Sequence, residues 1–268
     1  MSFMKLMNMR QKTILWENLK HGYAIWHFIR YRRIADFVND TDGKYLLDVG
    51  CGIGLLDLLI ANKDIVGVDI DRKNIREAKR IRKTTKLDHN RIHTLVADLH
   101  FPPFRKKFDV IICSEVLEHL TNDKTALAAL LSVLNEDGLL LITLPNAIRL
   151  ELSELFRLAL RPQRMYPAHV REYEVNDAYC LVGGFPLRME KITGVYFDFP
   201  LFHVFSPPIR IPISLRLSPK FRFFVYNALY QIYTTFWIVV ERLFWHHAYY
   251  ILIILKKLHP QSNRLGVF

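Results

Sequence analysis

The chain has 268 residues, 51% of them hydrophobic and 24% charged, with 37 Lys and Arg against 26 Asp and Glu. A half-apolar composition excludes a disordered chain, which cannot assemble enough buried surface, and the length suits one large domain with additions. The net charge of +11 is no uniform basic coat: residues 199–268 carry +7 of it, and residues 196–268 hold 18 of the 34 aromatic side chains.

Three scattered cysteines, Cys51, Cys113 and Cys180, show no metal-ligand spacing and fit a reducing compartment. Met1 to Lys12 contains no continuous apolar stretch, so no signal peptide is expected and the expected location is cytoplasmic. From Thr13 to Phe37, apolar residues recur at helical spacing (Ile14, Ile25, Phe28, Ile29, Ile34, Phe37) and predict one or two helices. A polar break at Asn39–Gly43 follows.

Short apolar runs then alternate with charged stretches. Strands are predicted at Tyr45–Val49, Ile65–Asp69, Ile92–Val96, Phe108–Cys113 and Gly138–Leu144, and helices at Gly54–Ala61, Arg72–Lys83, Val116–Leu120 and Thr125–Leu134. This alternation predicts an α/β fold, a doubly wound and mostly parallel sheet covered on both faces. Ligands bind such sheets at the carboxyl ends of the strands. Beyond Pro145 the pattern breaks into helical insertions and loops, and a final strand pair is expected at Arg188–Phe197 and Ala248–Lys256. The resulting organisation is N-terminal helices on the substrate side (1–40), a core (41–197), an apolar insertion (198–246), and a last core strand with its tail (247–268).

The strongest chemical signal is Leu46-Leu47-Asp48-Val49-Gly50-Cys51-Gly52-Ile53-Gly54, an apolar strand entering a glycine-rich turn. Glycines there admit unusual φ and let a ligand approach the backbone closely. The spacing G-x-G-x-G, preceded by an acid, differs from the G-x-G-x-x-G of nicotinamide sites. Asp69 ends the second strand, where a carboxylate can take both hydroxyls of a ribose. Asp98 follows the third, where it can accept from an adenine amino group. Each acid alone is most simply a strand-end residue; three at successive strand ends beside a glycine loop form a pattern.

The sequence here resembles the class I S-adenosylmethionine-dependent methyltransferases through Leu46–Gly54, Val66–Asp71, Ala97–Asp98, Phe108–Leu120 and Leu134–Gly138 running into Leu139–Asn146. The resemblance implies a Rossmann-like seven-stranded sheet with a reversed last strand. It also implies S-adenosyl-L-methionine as cofactor, with Asp48, Gly50, Cys51, Gly52 and Gly54 framing its methionine and ribose part. Asp69 with Ile70 would hold the ribose, Asp98 with Leu99 the adenine, and Ser114 would lie beside the cofactor. The assignment makes Tyr249–Leu255 a central strand rather than a membrane span.

Amine-directed relatives often carry an Asn/Asp-Pro-Pro-aromatic turn after strand four, and here Cys113-Ser114-Glu115-Val116 stands instead. Glu115, Glu118 and His119 fall at i, i+3 and i+4, so a helix would gather them on one face. There they would bind a divalent cation such as Mg²⁺, or His119 would act as a metal-free general base. The block resembles ubiquinone-pathway O-methyltransferases and small-RNA 2′-O-methyltransferases, and His169 is the candidate further ligand or catalytic histidine. Arg72–Lys86 carries eight Lys and Arg among fifteen residues with no aromatic interleaved, which reads as a solvated helix face rather than a nucleic-acid surface.

Phe223–Val240 contains 18 uncharged residues, a borderline length for spanning hydrocarbon. A helix at about 220–244 would be a lid over an apolar pocket, a peripheral membrane contact or a homodimer interface. The expected activity is O-methylation of an apolar or lipid-like small molecule by a cytoplasmic, membrane-associated enzyme. RNA 2′-O-methylation and a cofactor-binding interaction subunit are the competing expectations.

Overall fold

The computed structural model describes residues 9–20, 25–85, 91–148, 169–196, 219–232, 239 and 243–259. Two helices, α1 (Met9–Lys20) and α2 (Ile25–Asn39), lead into β1 (Tyr45–Val49). The chain continues through β2 (Asp64–Asp69), α3 (Arg72–Thr85), β3 (Ile92–Val96), β4 (Phe108–Ser114), α4 (Asp123–Val133) and β5 (Leu134–Pro145). After α5 (Val175–Val182) come β6 (Leu187–Val195), α6 (Pro219–Ile232) and β7 (Tyr250–Lys257).

The strands form one seven-stranded sheet in the order β3-β2-β1-β4-β5-β7-β6. β7 runs antiparallel to both neighbours, and the pairings among β3, β2, β1, β4 and β5 are parallel. Alternate side chains serve two cores, as strand geometry requires. Leu46, Val110, Ile112 and Ile254 pack with α1, α2 and Tyr230 of α6, whereas Leu47, Ile111, Ile142 and Ile253 pack with α4 and α5. β7 is buried from Tyr250 through Leu255, so this apolar run is a central strand, as expected. Among the described residues no helix is long and apolar enough to cross a membrane.

Local chemistry sets the boundaries. The Asn122 side chain caps α4 by accepting from the Thr125 amide at 3.1 Å, and Glu174 with Asp177 forms a reciprocal cap on α5. At the amino end of the sheet, Asp109 accepts from the amides of Lys44 and Tyr45 and from Asn135, tying β1, β4 and β5 together.

Two expected helices are instead single 3-10 turns, Asp57–Leu59 and Leu117–His119. Leu55, Leu56, Leu58, Leu59 and Ile60 are all buried, so the first segment has no solvent face for an amphipathic helix. The second lies between Glu115, at φ +57°, and extended Leu120, and this leaves room for one turn. Of the long helix expected over 220–244, Pro219–Ile232 is described; residues 233–238 and 240–242 lie outside the described residues, as does Phe197 of the expected β6.

Candidate active site

Sheet order reverses between β1 and β4, and this opens a crevice at their carboxyl ends. Gly50, Gly52 and Gly54 cross it with φ of +69°, +54° and +73°. A Cβ on Gly50 would collide with Val116 Cγ2, so this position tolerates no side chain; around Gly52 the space is open. The loop is anchored by the Cys51 amide on the Val68 carbonyl and the Gly52 amide on Asp69 Oδ2, both at 2.9 Å.

Asp69 is held further by the Asp71 amide at 2.8 Å and Asn74 Nδ2 at 3.3 Å, both on Oδ1. Ile70 beside it is 72% exposed, an apolar side chain waiting for cover. Asp98 Oδ1 accepts from the His100 amide at 2.9 Å and lies 3.0 Å from His100 Nδ1; these contacts hold the carboxyl below its ordinary pKa. It therefore stays ionised as an acceptor, with half-buried Leu99 next to it. Ser114 pairs with Thr143 at 2.9 Å between their hydroxyl oxygens.

Asp48 lies buried beneath the loop, facing Asp57 from the 3-10 turn. Burial first, then the neighbouring Asp57, pushes the Asp48 carboxyl well up, and burial raises Asp57 to about 7. Two adjacent buried carboxyls resist simultaneous ionisation, so near neutrality the pair retains a proton.

The Leu117–His119 turn brings together Glu118, His119 and His169, whose ligand-type atoms all lie within 4.8 Å of one another. The two imidazoles meet edge to face at 4.9 Å between centroids, and His119 Nε2 lies 3.7 Å from Glu118 Oε1. Glu118 is fully buried with no hydrogen bond to either oxygen, and burial followed by repulsion from Glu115 raises its pKa to about 9. Glu115 does not join this cluster, because the expected helical face does not form. It turns to Arg30, with Oε2 3.4 Å from Nη1, while Oε1 accepts from the Thr143 hydroxyl at 3.2 Å.

Sequence reasoning misses Arg30. It is buried on α2, its guanidinium lies 4.6 Å from the Tyr250 ring centroid, and its Nε has no hydrogen-bond partner. Burial opposes the charge, yet Tyr250 and Glu115 more than offset it and the pKa lies above its ordinary value. A buried guanidinium with an unused N–H, near enough to Asp48 to act on its charge, suits a carboxylate such as the amino-acid end of the cofactor. A signal for it exists: Trp26, Arg30 and Ile34 share one helical stripe, and an arginine on an apolar stripe is informative. Around Arg30 stands an aromatic wall, Trp26 at 6.1 Å from Tyr196 and 6.2 Å from Tyr249, with Tyr249 at 5.1 Å from Tyr250. Tyr196 and Glu115 both hold positive φ, a strain that concentrates at functional sites.

A glycine loop at a sheet reversal, with acids on the next two strand ends, defines a class I S-adenosylmethionine-dependent methyltransferase. The chain belongs to the methyltransferase-domain family, which matches residues 23–174. It is 26% identical over 197 residues to a ubiquinone biosynthesis O-methyltransferase of Photobacterium profundum, covering 68% of this chain and 81% of that protein. A protein of the same name from Rickettsia typhi is 24% identical over 198 residues, covering 68% and 78%. Among solved structures, the cyclase SpnF matches with a TM-score of 0.58 at 19% identity, over 86% of this chain and 82% of that one. The magnesium protoporphyrin methyltransferase of Synechocystis, solved with bound SAH, matches at 0.51 and 17% identity over 95% and 90%. These structural likenesses establish the fold.

Proposed function

We propose that this methyltransferase acts on a hydroxyl oxygen of an apolar, aromatic-type small molecule. The observation that carries the reading is the Glu118, His119 and His169 cluster, with the buried charge of Arg30 and the aromatic side chains Trp26, Tyr196, Tyr249 and Tyr250 in its neighbourhood. The name shared by the relatives supports an oxygen acceptor. The cofactor supplies an already activated methyl group, so what remains for the protein is to align and deprotonate the nucleophile. Part-exposed Tyr249, backed by the buried rings of Trp26, Tyr196 and Tyr250, would stack an aromatic acceptor, and His119 would receive the hydroxyl proton as the oxygen–methyl bond forms. Glu118, protonated at neutral pH, would act as a fixed neutral neighbour to His119.

The cluster also fits a divalent cation. Glu118, His119 and His169 would hold it, and its charge would replace the proton that Glu118 otherwise retains. Two imidazoles and one carboxylate suit a transition ion such as Mn²⁺ better than Mg²⁺. Such an ion would lower the pKa of the acceptor hydroxyl. Methyl transfer measured after chelation and after Mn²⁺ or Mg²⁺ is added back separates this arrangement from the metal-free base: the first loses and regains activity, the second is indifferent.

An apolar acceptor would reach the site from a membrane surface. Phe221 and Phe224 of α6, with Leu243 and Phe244, are exposed apolar side chains within the basic C-terminal part, as a headgroup-level contact requires. Co-sedimentation with anionic liposomes tests this; a salt-insensitive dimer that ignores liposomes would assign these residues to a subunit contact instead.

A further inference from the structure

His169 is 50 positions from His119 in the chain, so the cluster exists only if something brings the two imidazoles together. Backbone contacts begin the approach, with the amides of Val170 and Arg171 reaching the Glu118 carbonyl at 2.8 and 3.4 Å. Further along, Tyr173 pairs with the end of β5, giving its amide to Pro145 and accepting from Ala147. Between these anchors the Arg171 guanidinium takes two partners at once. Nη1 donates to Asp123 Oδ2 at 2.5 Å, and Nη2 donates to the Thr121 carbonyl at 2.8 Å. Asp123 opens α4 and also accepts from the Tyr173 hydroxyl at 2.9 Å. That phenol is pushed above its ordinary pKa by burial and by Asp123, and so remains a donor.

We propose that Arg171 is a positioning residue for the reaction: its two-pronged hold on Asp123 and Thr121 sets His169 against Glu118 and His119. The inference rests on reading that cluster as the reacting centre. The clasp links the segment after His119 to the segment after His169, and it sits two residues from the imidazole it places. Tyr173, the β5 pairing and the Val170 amide on Glu118 hold the backbone independently, so losing Arg171 frees the orientation of the His169 ring without detaching α5. A charge-assisted, bidentate contact is the kind whose geometry Lys reproduces only in part.

The test compares full-length wild type with Arg171→Met, Arg171→Lys and His169→Ala. Three measurements are made: the cross-relaxation signal between the His119 and His169 rings in histidine-labelled protein, affinity for S-adenosylmethionine, and turnover of a simple catechol. Wild type should show the inter-ring signal. Arg171→Met should lose it and at least tenfold of kcat while cofactor affinity stays within twofold; Arg171→Lys should recover part of both. An undiminished inter-ring signal in the Met variant overturns the proposal. So does equal loss of cofactor affinity and kcat, because that reports a general structural role. Should the Met variant not fold, the Lys variant decides, since an unweakened signal and an unchanged kcat there also overturn the clasp. Wild-type turnover by His169→Ala sinks the reading of the cluster instead, and leaves the inter-ring result to judge Arg171 on geometry.

Discussion

Asp69 and Asp98 face different demands at neighbouring strand ends. Asp69 already accepts from Gly52, Asp71 and Asn74, so it shapes the loop, and the ribose contact expected of it would fall to the same carboxylate. Asp98 is pinned by His100 through Oδ1. Asp69→Ala and Asp98→Ala should each weaken cofactor binding at least tenfold by calorimetry, and Asp69→Ala should also destabilise the loop. The buried acids make a different prediction. Asp57, raised to about 7, and Glu118, raised to about 9, hold protons in the folded state that the unfolded chain has already released. Stability therefore falls as pH rises through each window, from the ordinary carboxyl value to the folded one. Denaturant unfolding should show this decline. Asp57→Asn should flatten the part below about 7, and Glu118→Gln the part reaching about 9, while raising stability at neutral pH by ~1 kcal/mol or more.

At the scale of elements, the sequence displays what is periodic and conceals what depends on partners. Most strands are legible because each is a short apolar run between breaks, and β7 is legible as a strand because its apolar run stops at Lys256 and Lys257, too short for a span, and fits the reversed strand the resemblance implies. The two expected helices that are 3-10 turns mislead because spacing describes a helix only where a segment is long enough and has a polar face. The expected i, i+3, i+4 face of Glu115, Glu118 and His119 fails for that reason, and His169 replaces Glu115 through contacts that no local pattern encodes. Close packing at strand ends is equally invisible in sequence. A Cβ on Gly194 of β6 would collide with the Trp245 carbonyl oxygen and the Ala248 Cβ. Gly194→Val should cost ~1–3 kcal/mol by overpacking, read as a lower denaturant midpoint. Gly50→Ala adds a strained φ to a clash with Val116, so it should lower both stability and cofactor affinity.

Across the whole molecule, the cofactor half and the acceptor half differ in how they are written. The residues expected to hold the cofactor sit on consecutive strand ends of a parallel sheet, so they come in sequence order and can be read as a motif. The proposed acceptor half draws on α2, the end of β4, the segment around His169 and the start of β7, and its members are near one another only in space. Arg30, Tyr196, Tyr249 and His169 share no spacing that would announce them together. The uneven charge acquires a place in this arrangement: the basic, aromatic C-terminal part supplies β7 to the sheet and α6 to the layer over α1 and α2. The most direct test of the account is transfer of labelled methyl from S-adenosylmethionine into lipid, quinol and RNA extracts, with the product's methylated atom identified. The account predicts a methyl ether on an apolar aromatic acceptor, reduced about 100-fold or more by His119→Ala. Label in RNA or on a nitrogen, or a His119→Ala variant of undiminished activity, would contradict it.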